Sequence, residues 1–199
     1  MPRRSAAAVA ETRAAVTDVA VDRASIDGLD GLSIGRLADA ARMQKSSVFS
    51  LFGSKEELQL ATLDAAVERF KEEVWGPVVD LEAGLPRLLA LCDAWLGYHE
   101  REVMPGGCFL TTATVEFDAR PGPQRDAVAA TMDRWLRLLA GDAAVAIDAG
   151  DLAPETDPAD VAFELNALAA AASYGFQLWR DPVVFERARR SMRRALGRG

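Results

Sequence analysis

An all-α fold is predicted by three features of the 199-residue chain. Apolar residues recur at helical spacing: Leu63, Val67, Phe70 and Val74, and again Val128, Met132, Trp135 and Leu139, each fall at i, i+4, i+7 and i+11 on one helix face. No segment alternates apolar and polar residues between turn signals as a half-buried strand would. Breakers containing Gly or Pro divide the chain into lengths that suit helices.

The elements follow in order. A first helix is expected over about residues 7–25, with Val9, Val16, Val19 and Ala20 as apolar positions, ended by Gly28-Leu-Asp-Gly31. Ser33 suits the N-cap of a short helix from Ile34 to Ala40, because its hydroxyl can accept an otherwise unpaired backbone N–H. A second short helix is expected from Lys45 to Phe52, stopped by Gly53, with Ser54 capping a longer one from Lys55 to about Val74. Gly76-Pro77 and Gly84-Leu-Pro86 precede a helix to Arg101, with Pro86 in its first turn. Met104-Pro-Gly-Gly107 breaks the chain before a helix from Cys108 to Phe117, and Pro121-Gly-Pro123 before one from Gln124 to Ala149. Asp157-Pro158 and Asp181-Pro182 are cap and first-turn pairs for the last two helices, ending near Arg180 and Leu196. Leu168 to Ser173 is apolar all round and made of small residues, which predicts burial and close helix approach, and with it a self-association surface over about residues 158–196. The organisation is a domain of short helices over residues 1–54 and one of long helices over 55–199.

Composition excludes several classes. The chain is 50% hydrophobic and 27% charged, which is ordinary for a globular protein. No apolar run reaches the ~18–20 residues of a membrane span. The basic start, Met1-Pro-Arg-Arg-Ser5, is not followed by a signal core, so a cytoplasmic protein is expected. Cys92 and Cys108 are too few for a disulfide scaffold. With one histidine, His99, a four-ligand zinc site lacks residues, and no metal is expected. No Gly-rich phosphate loop and no nucleophile–base pair is present, so neither a cofactor nor an enzyme is expected.

The formal net charge is −7. Residues 1–55 hold eight basic and six acidic side chains, leaving a mildly basic head on an acidic body. Such a head can meet a polyanion with one end of the molecule. The stretch from Leu32 to Leu58 reads as helix, tight turn, helix. Ile34, Leu37, Ala38 and Ala41 can form a buried face against Val48 and Phe52, with Met43 in the turn. Gln44, Lys45, Ser46 and Ser47 are then left at the start of the second helix. A helix-turn-helix presents that end to base edges in the major groove, where Gln suits adenine, Lys guanine and Ser either.

This stretch resembles the DNA-binding domain of TetR/AcrR-family transcriptional regulators. The resemblance covers about residues 9–62 and includes Leu37-Ala38, Ala41-x-Met43, Phe49-x-x-Phe52 and Gly53-Ser-Lys-Glu-Glu-Leu58. It implies an N-terminal three-helix helix-turn-helix domain joined to a C-terminal helical ligand-binding and dimerisation domain. It also implies a homodimeric repressor that leaves double-stranded operator DNA when a small-molecule effector binds. Ser33 and Lys55 would contact phosphates from helix N-termini. Two positions depart from the family. Phe49 stands where Tyr is usual and loses a hydroxyl contact to phosphate, while Arg42 stands where Gly is usual and brings a charge near DNA at the expense of strain if φ is positive. Arg3, Arg4 and Arg13 are candidates for nonspecific contact from a tail. Candidate effector-binding residues are Trp95, Tyr98, His99, Phe109, Thr112, Glu116, Trp135, Asn166 and Tyr174, aromatic walls with a few polar groups. Glu116 suits a cationic or hydrogen-bonding ligand if it is buried without a partner. The alternative reading is a redox-responsive regulator acting through Cys108, which follows Gly106-Gly107 at a helix start.

Overall fold

The computed structural model describes residues 5–198, and within them every regular element is helical. Nine α-helices run as α1 Ala6–Asp27, α2 Ile34–Ala40, α3 Lys45–Phe52, α4 Lys55–Phe70, α5 Leu85–Glu100, α6 Phe109–Phe117, α7 Pro123–Asp148, α8 Pro158–Trp179 and α9 Val183–Ala195 among these residues. Arg3 and Arg4 lie outside the described residues. The predicted all-α class and the order of the helices agree with this architecture.

The chain divides into two compact units, one of residues 1–68 with 104–128, the other of residues 69–103 with 129–199. The first unit therefore takes in most of α4, all of α6 and the start of α7 as well as the short helices up to residue 54.

In the first unit, α1, α2 and α3 pack on one another and α6 packs on α1. Val16, Ala20 and Ala24 give α1 a buried stripe at i, i+4 and i+8, which Leu37, Ala38, Val48 and Phe52 meet from α2 and α3. Arg13 does not trail in a tail. It sits on α1, its Nε donates to the Leu51 carbonyl at 3.4 Å, and its guanidinium lies 5.1 Å from the Phe52 ring centroid. The approach of residue 106 to α1 requires glycine, since a Cβ there would lie 1.8 Å from the Ser25 carbonyl oxygen.

In the second unit α5 is the central element, packing against α8 and α9. It buries Leu88, Leu91, Cys92, Trp95, Leu96 and His99. α8 buries Leu165, Ala169 and Ala172, and α9 buries Phe185, Ala188 and Met192. The Leu168–Ser173 segment is thus buried on one side only. Ala169, Ala172 and Ser173 are inside, whereas Phe163, Tyr174, Leu178 and Trp179 of the same helix are exposed.

The helix predicted to run to Val74 keeps α geometry only to Phe70 and continues as a π-helical turn over Lys71–Trp75. Its cause is local: Pro77 has no N–H and its ring crowds the carbonyl four residues back, so the preceding turn widens and Gly76 N–H bonds the Lys71 carbonyl. A charged pair ties α5 to α7. Arg87 Nε donates to Asp142 Oδ2 at 2.8 Å and its terminal nitrogen to Oδ1 at 2.6 Å, while Gly84 N–H also reaches Oδ1 at 3.3 Å. The Asp142 side chain is 2% exposed and that of Arg87 20%. Asp142→Ala leaves a mostly buried guanidinium without its carboxylate, and a loss of about 3 kcal/mol in unfolding free energy is expected from urea titration. A loss under about 1 kcal/mol would show that the pair behaves as a surface salt bridge.

Candidate nucleic-acid interface and effector site

The turn between α2 and α3 has a defined hydrogen-bond pattern. Met43 N–H bonds the Ala38 carbonyl at 2.8 Å and Arg42 N–H the Asp39 carbonyl at 3.2 Å. These are the two bonds of a Schellman motif, whose left-handed position usually holds glycine. Arg42 occupies it at φ 53°, so the strain expected from this residue is present. At the other end of α2 the Ser33 hydroxyl accepts from Arg36 N–H at 3.2 Å, which confirms the cap.

α3 buries Val48 and Phe52 and turns its remaining side chains outward. Gln44, Lys45, Ser46 and Ser47 are exposed, as is Arg42 in the preceding turn. Gln44 stands at the N-cap without forming a side-chain cap bond, so its amide is available. Phe49 is 54% exposed on the same helix. The start of the second helix thus presents an open polar set with one aromatic ring beside it.

Lys55 is placed differently from a free phosphate contact. Its Nζ donates to the Asp30 carbonyl oxygen at 2.7 Å and to Asp30 Oδ1 at 2.8 Å. Arg120 donates to the other carboxylate oxygen of Asp30 at 3.1 Å. The Lys55 ammonium, then Arg120, holds the Asp30 carboxyl below its ordinary value of 3.8. A lowered carboxyl contributes its stabilisation above the ordinary value and loses it only as pH falls through the lowered one, so the Asp30–Lys55 pair persists at neutral and mildly acid pH.

Glu116 is half-buried but not unpartnered. Its Oε2 accepts from Leu29 N–H at 2.8 Å and its Oε1 from Asp30 N–H at 2.9 Å. Gln59 donates to the Leu29 carbonyl at 2.9 Å and Gln124 to Gln59 Oε1 at 2.9 Å. The carboxylate therefore serves the loop between α1 and α2, and its expected readiness for a cationic ligand is corrected by these bonds.

The remaining effector candidates separate by unit. Phe109 and Thr112 belong with Glu116 to the first; Phe109 is core, and the Thr112 hydroxyl bonds back to the Cys108 carbonyl at 3.2 Å. Asn166 is half-buried and Tyr174 is 54% exposed in the second unit. Trp95, Tyr98, His99 and Trp135 are brought together there. The Trp95 and Trp135 ring centroids are 4.8 Å apart with planes at 87°, and Phe70 stands edge-on to Trp95, Tyr98 and Trp135 at 6.0, 5.4 and 5.1 Å. Four buried side-chain polar atoms in this cluster have no partner: Trp95 Nε1, Trp135 Nε1 and both ring nitrogens of His99. Burial lowers the His99 pKa to about 4, so the imidazole is neutral at physiological pH. The sequence does not single out Phe70, because its helical stripe reads equally well as plain core.

Both cysteines are buried, and neither is in a disulfide. Burial, with the nearby Asp93 charge, pushes the Cys92 thiol up to about 12. Cys108 is only 7% exposed at the N-cap of α6. No group of three metal-ligating side chains occurs among the described residues, and no described helix is long and apolar enough to cross a membrane.

A helix-turn-helix unit with an open recognition helix, in a chain whose other unit is also all-helical, defines a DNA-binding transcriptional regulator. Comparison with known proteins gives the family. The model described as "Tetracyclin repressor-like, C-terminal domain" matches residues 84–192, and that for "Bacterial regulatory proteins, tetR family" matches residues 16–62. The chain belongs to the TetR family. It is similar to a TetR transcriptional regulator from Chloroflexus aurantiacus at 24% identity over 95% of this chain and 96% of that one, with a TM-score of 0.87. A TetR-family regulator from Cytophaga hutchinsonii matches at 20% identity, covering 98% and 97% of the two chains, with a TM-score of 0.82. AibR, solved with isovaleryl coenzyme A and operator DNA, matches at 21% identity over 91% and 95%, with a TM-score of 0.73. These likenesses show the shared fold. No curated protein matches the chain.

Arg42→Gly removes the left-handed strain and is expected to raise unfolding stability by about 1 kcal/mol. Arg42→Ala keeps the strain and serves as the control. Equal stability of the two variants in a denaturant titration would show that the turn does not carry it.

Proposed function

We propose that the protein is a homodimeric repressor that leaves its operator when a small molecule binds. The observation that carries the DNA part is the outward set on α3: Gln44, Lys45, Ser46 and Ser47 stand exposed at the helix start while Val48 and Phe52 face the core. In this reading those four residues meet base edges, and Phe49 packs beside them in the groove. Arg42 and Ser33 meet phosphates. Lys55 joins the phosphate set by giving up part of its bond to Asp30.

The dimer is assigned to α8 and α9, residues 158–196. Phe163, Tyr174 and Leu178 form an exposed apolar stripe along α8, larger than isolated surface residues require. A groove between α8 and α9 is walled by Leu168, Ala171, Val184 and Ala188, small enough for a second helix pair to approach. Two-fold pairing sets the recognition helices ~34–36 Å apart on a near-palindromic site. The AibR structure, which holds both an acyl-coenzyme A and operator DNA, supports a response to small molecules. The protein acts by binding in the cytoplasm, with no chemical step. The coupling is the effector's difference in affinity between the DNA-competent state and the released state.

Titration of the purified protein against its upstream intergenic DNA at two salt concentrations tests this reading. Specific, competitor-resistant binding that weakens with salt is expected, and failure to select any sequence from a random pool would overturn it. Lys55→Ala is expected to weaken binding to all sequences and lower the salt slope by about one. Asp30→Asn removes the negative charge that holds Lys55, leaving its bond to the residue-30 carbonyl, and is expected to tighten binding severalfold. An unchanged slope in the first variant removes Lys55 from the phosphate set.

A further inference from the structure

All the buried side-chain polar atoms without a partner among the described residues fall in one place. They belong to Trp95 and His99, one turn apart on α5, and to Trp135 on α7. Buried polar groups in folded proteins are nearly always hydrogen-bonded, so four orphans in a single cluster call for a partner that is neither side chain nor backbone. We propose that this cluster is the effector site and that it takes an uncharged, largely apolar molecule carrying carbonyl-type oxygen acceptors. The proposal rests on the reading of the protein as a ligand-responsive regulator and deepens it by naming the ligand class.

The class follows from what the open atoms can do. The two indole nitrogens are donors only, and a neutral imidazole adds one donor and one acceptor. Three donors against one acceptor call for a ligand richer in acceptors. None of these atoms carries a charge, since burial keeps His99 neutral. A carboxylate among them would lack a counter-charge and pay for its desolvation. A quaternary ammonium is the usual guest of an aromatic cage, but it accepts no hydrogen bond and would leave the three donors orphaned. The surrounding faces of Phe70, Tyr98 and the two indoles favour a flat apolar body. Phe70 is the one ring of the set without a polar atom. It is the last residue of α4, directly before the π-helical turn.

The four tryptophans give four indole N–H resonances in a ¹⁵N-labelled sample of the whole protein, assigned by Trp→Phe variants. The probes are acetophenone, ethylbenzene, benzoate and benzyltrimethylammonium, which share a ring and differ in acceptor and charge. Acetophenone is expected to move the Trp95 and Trp135 signals downfield in a saturable way and to leave Trp75 and Trp179 in place. Ethylbenzene is expected to bind about tenfold more weakly, the loss of one or two hydrogen bonds, and the two ions not at all. Trp95→Phe and Trp135→Phe each weaken acetophenone five- to tenfold.

Equal binding of ethylbenzene, preferential binding of either ion, or shifts confined to Trp75 and Trp179 would overturn the proposal. So would signals that no probe moves, the result if one internal water satisfies the cluster. A gel shift with operator DNA separates the two readings. Acetophenone that fills the cluster without changing operator affinity keeps the site and removes the effector role. Release by a molecule that leaves both indole signals unmoved keeps the regulator and removes this site.

Discussion

The first unit depends on a carboxylate that holds a loop. The chain leaves α1 at Gly28, whose φ is 79° and whose N–H still bonds the Ala24 carbonyl, while the N–H groups of the next residues, Leu29 and Asp30, turn away from the helix. Glu116 accepts both, and Gln59 donates to the Leu29 carbonyl between them. A Cβ on residue 28 would lie 2.9 Å from Glu116 Oε1, and the left-handed φ at this position favours glycine in its own right. Buried or half-buried backbone groups must be paired, and this loop finds its partners on α4 and α6. The placement of α2 and α3 relative to α1 follows, because the loop is the only covalent link from α1 to the helix-turn-helix.

The same loop connects fold to DNA chemistry. Asp30, whose N–H is held by Glu116, uses its own carboxylate on Lys55 and Arg120. A lysine at a helix start is a ready phosphate ligand, but here it already has an anion. The acidic residue is partly exposed, so solvent screens the pair and a phosphate can compete for the ammonium. The head is thus less basic in effect than its residues alone suggest, and the unpaired cations near the recognition helix, Arg42 and Lys45, take on greater weight.

The second unit follows a different rule. It is built around α5, whose buried side carries both the Leu ladder and the aromatic-polar cluster. Along one helix the lining changes from saturated packing at Leu88 and Leu91 to rings with open donors at Trp95 and His99. Buried indole and imidazole nitrogens without partners destabilise a core by roughly 1–3 kcal/mol each. In the proposed reading a bound ligand offsets that destabilisation.

Sequence alone determined the helical class, the helix order, the Ser33 and Asp157 caps and the helix-turn-helix, because each is written in local spacing and in caps that act within four residues. The family resemblance added the strain at Arg42, where the left-handed position of a Schellman motif belongs to one residue. Tertiary structure decided what no local pattern encodes. Glu116 and Lys55 have partners 87 and 25 residues away, so a free carboxylate and a free ammonium cannot be told from paired ones along the chain. Of nine effector candidates, four converge, and Phe70 joins them, because convergence is a property of which faces meet in three dimensions. The end of α4 is intermediate: Gly76-Pro77 announced a break, but the widening of the preceding turn into π geometry depends on where the proline ring meets the backbone already in place.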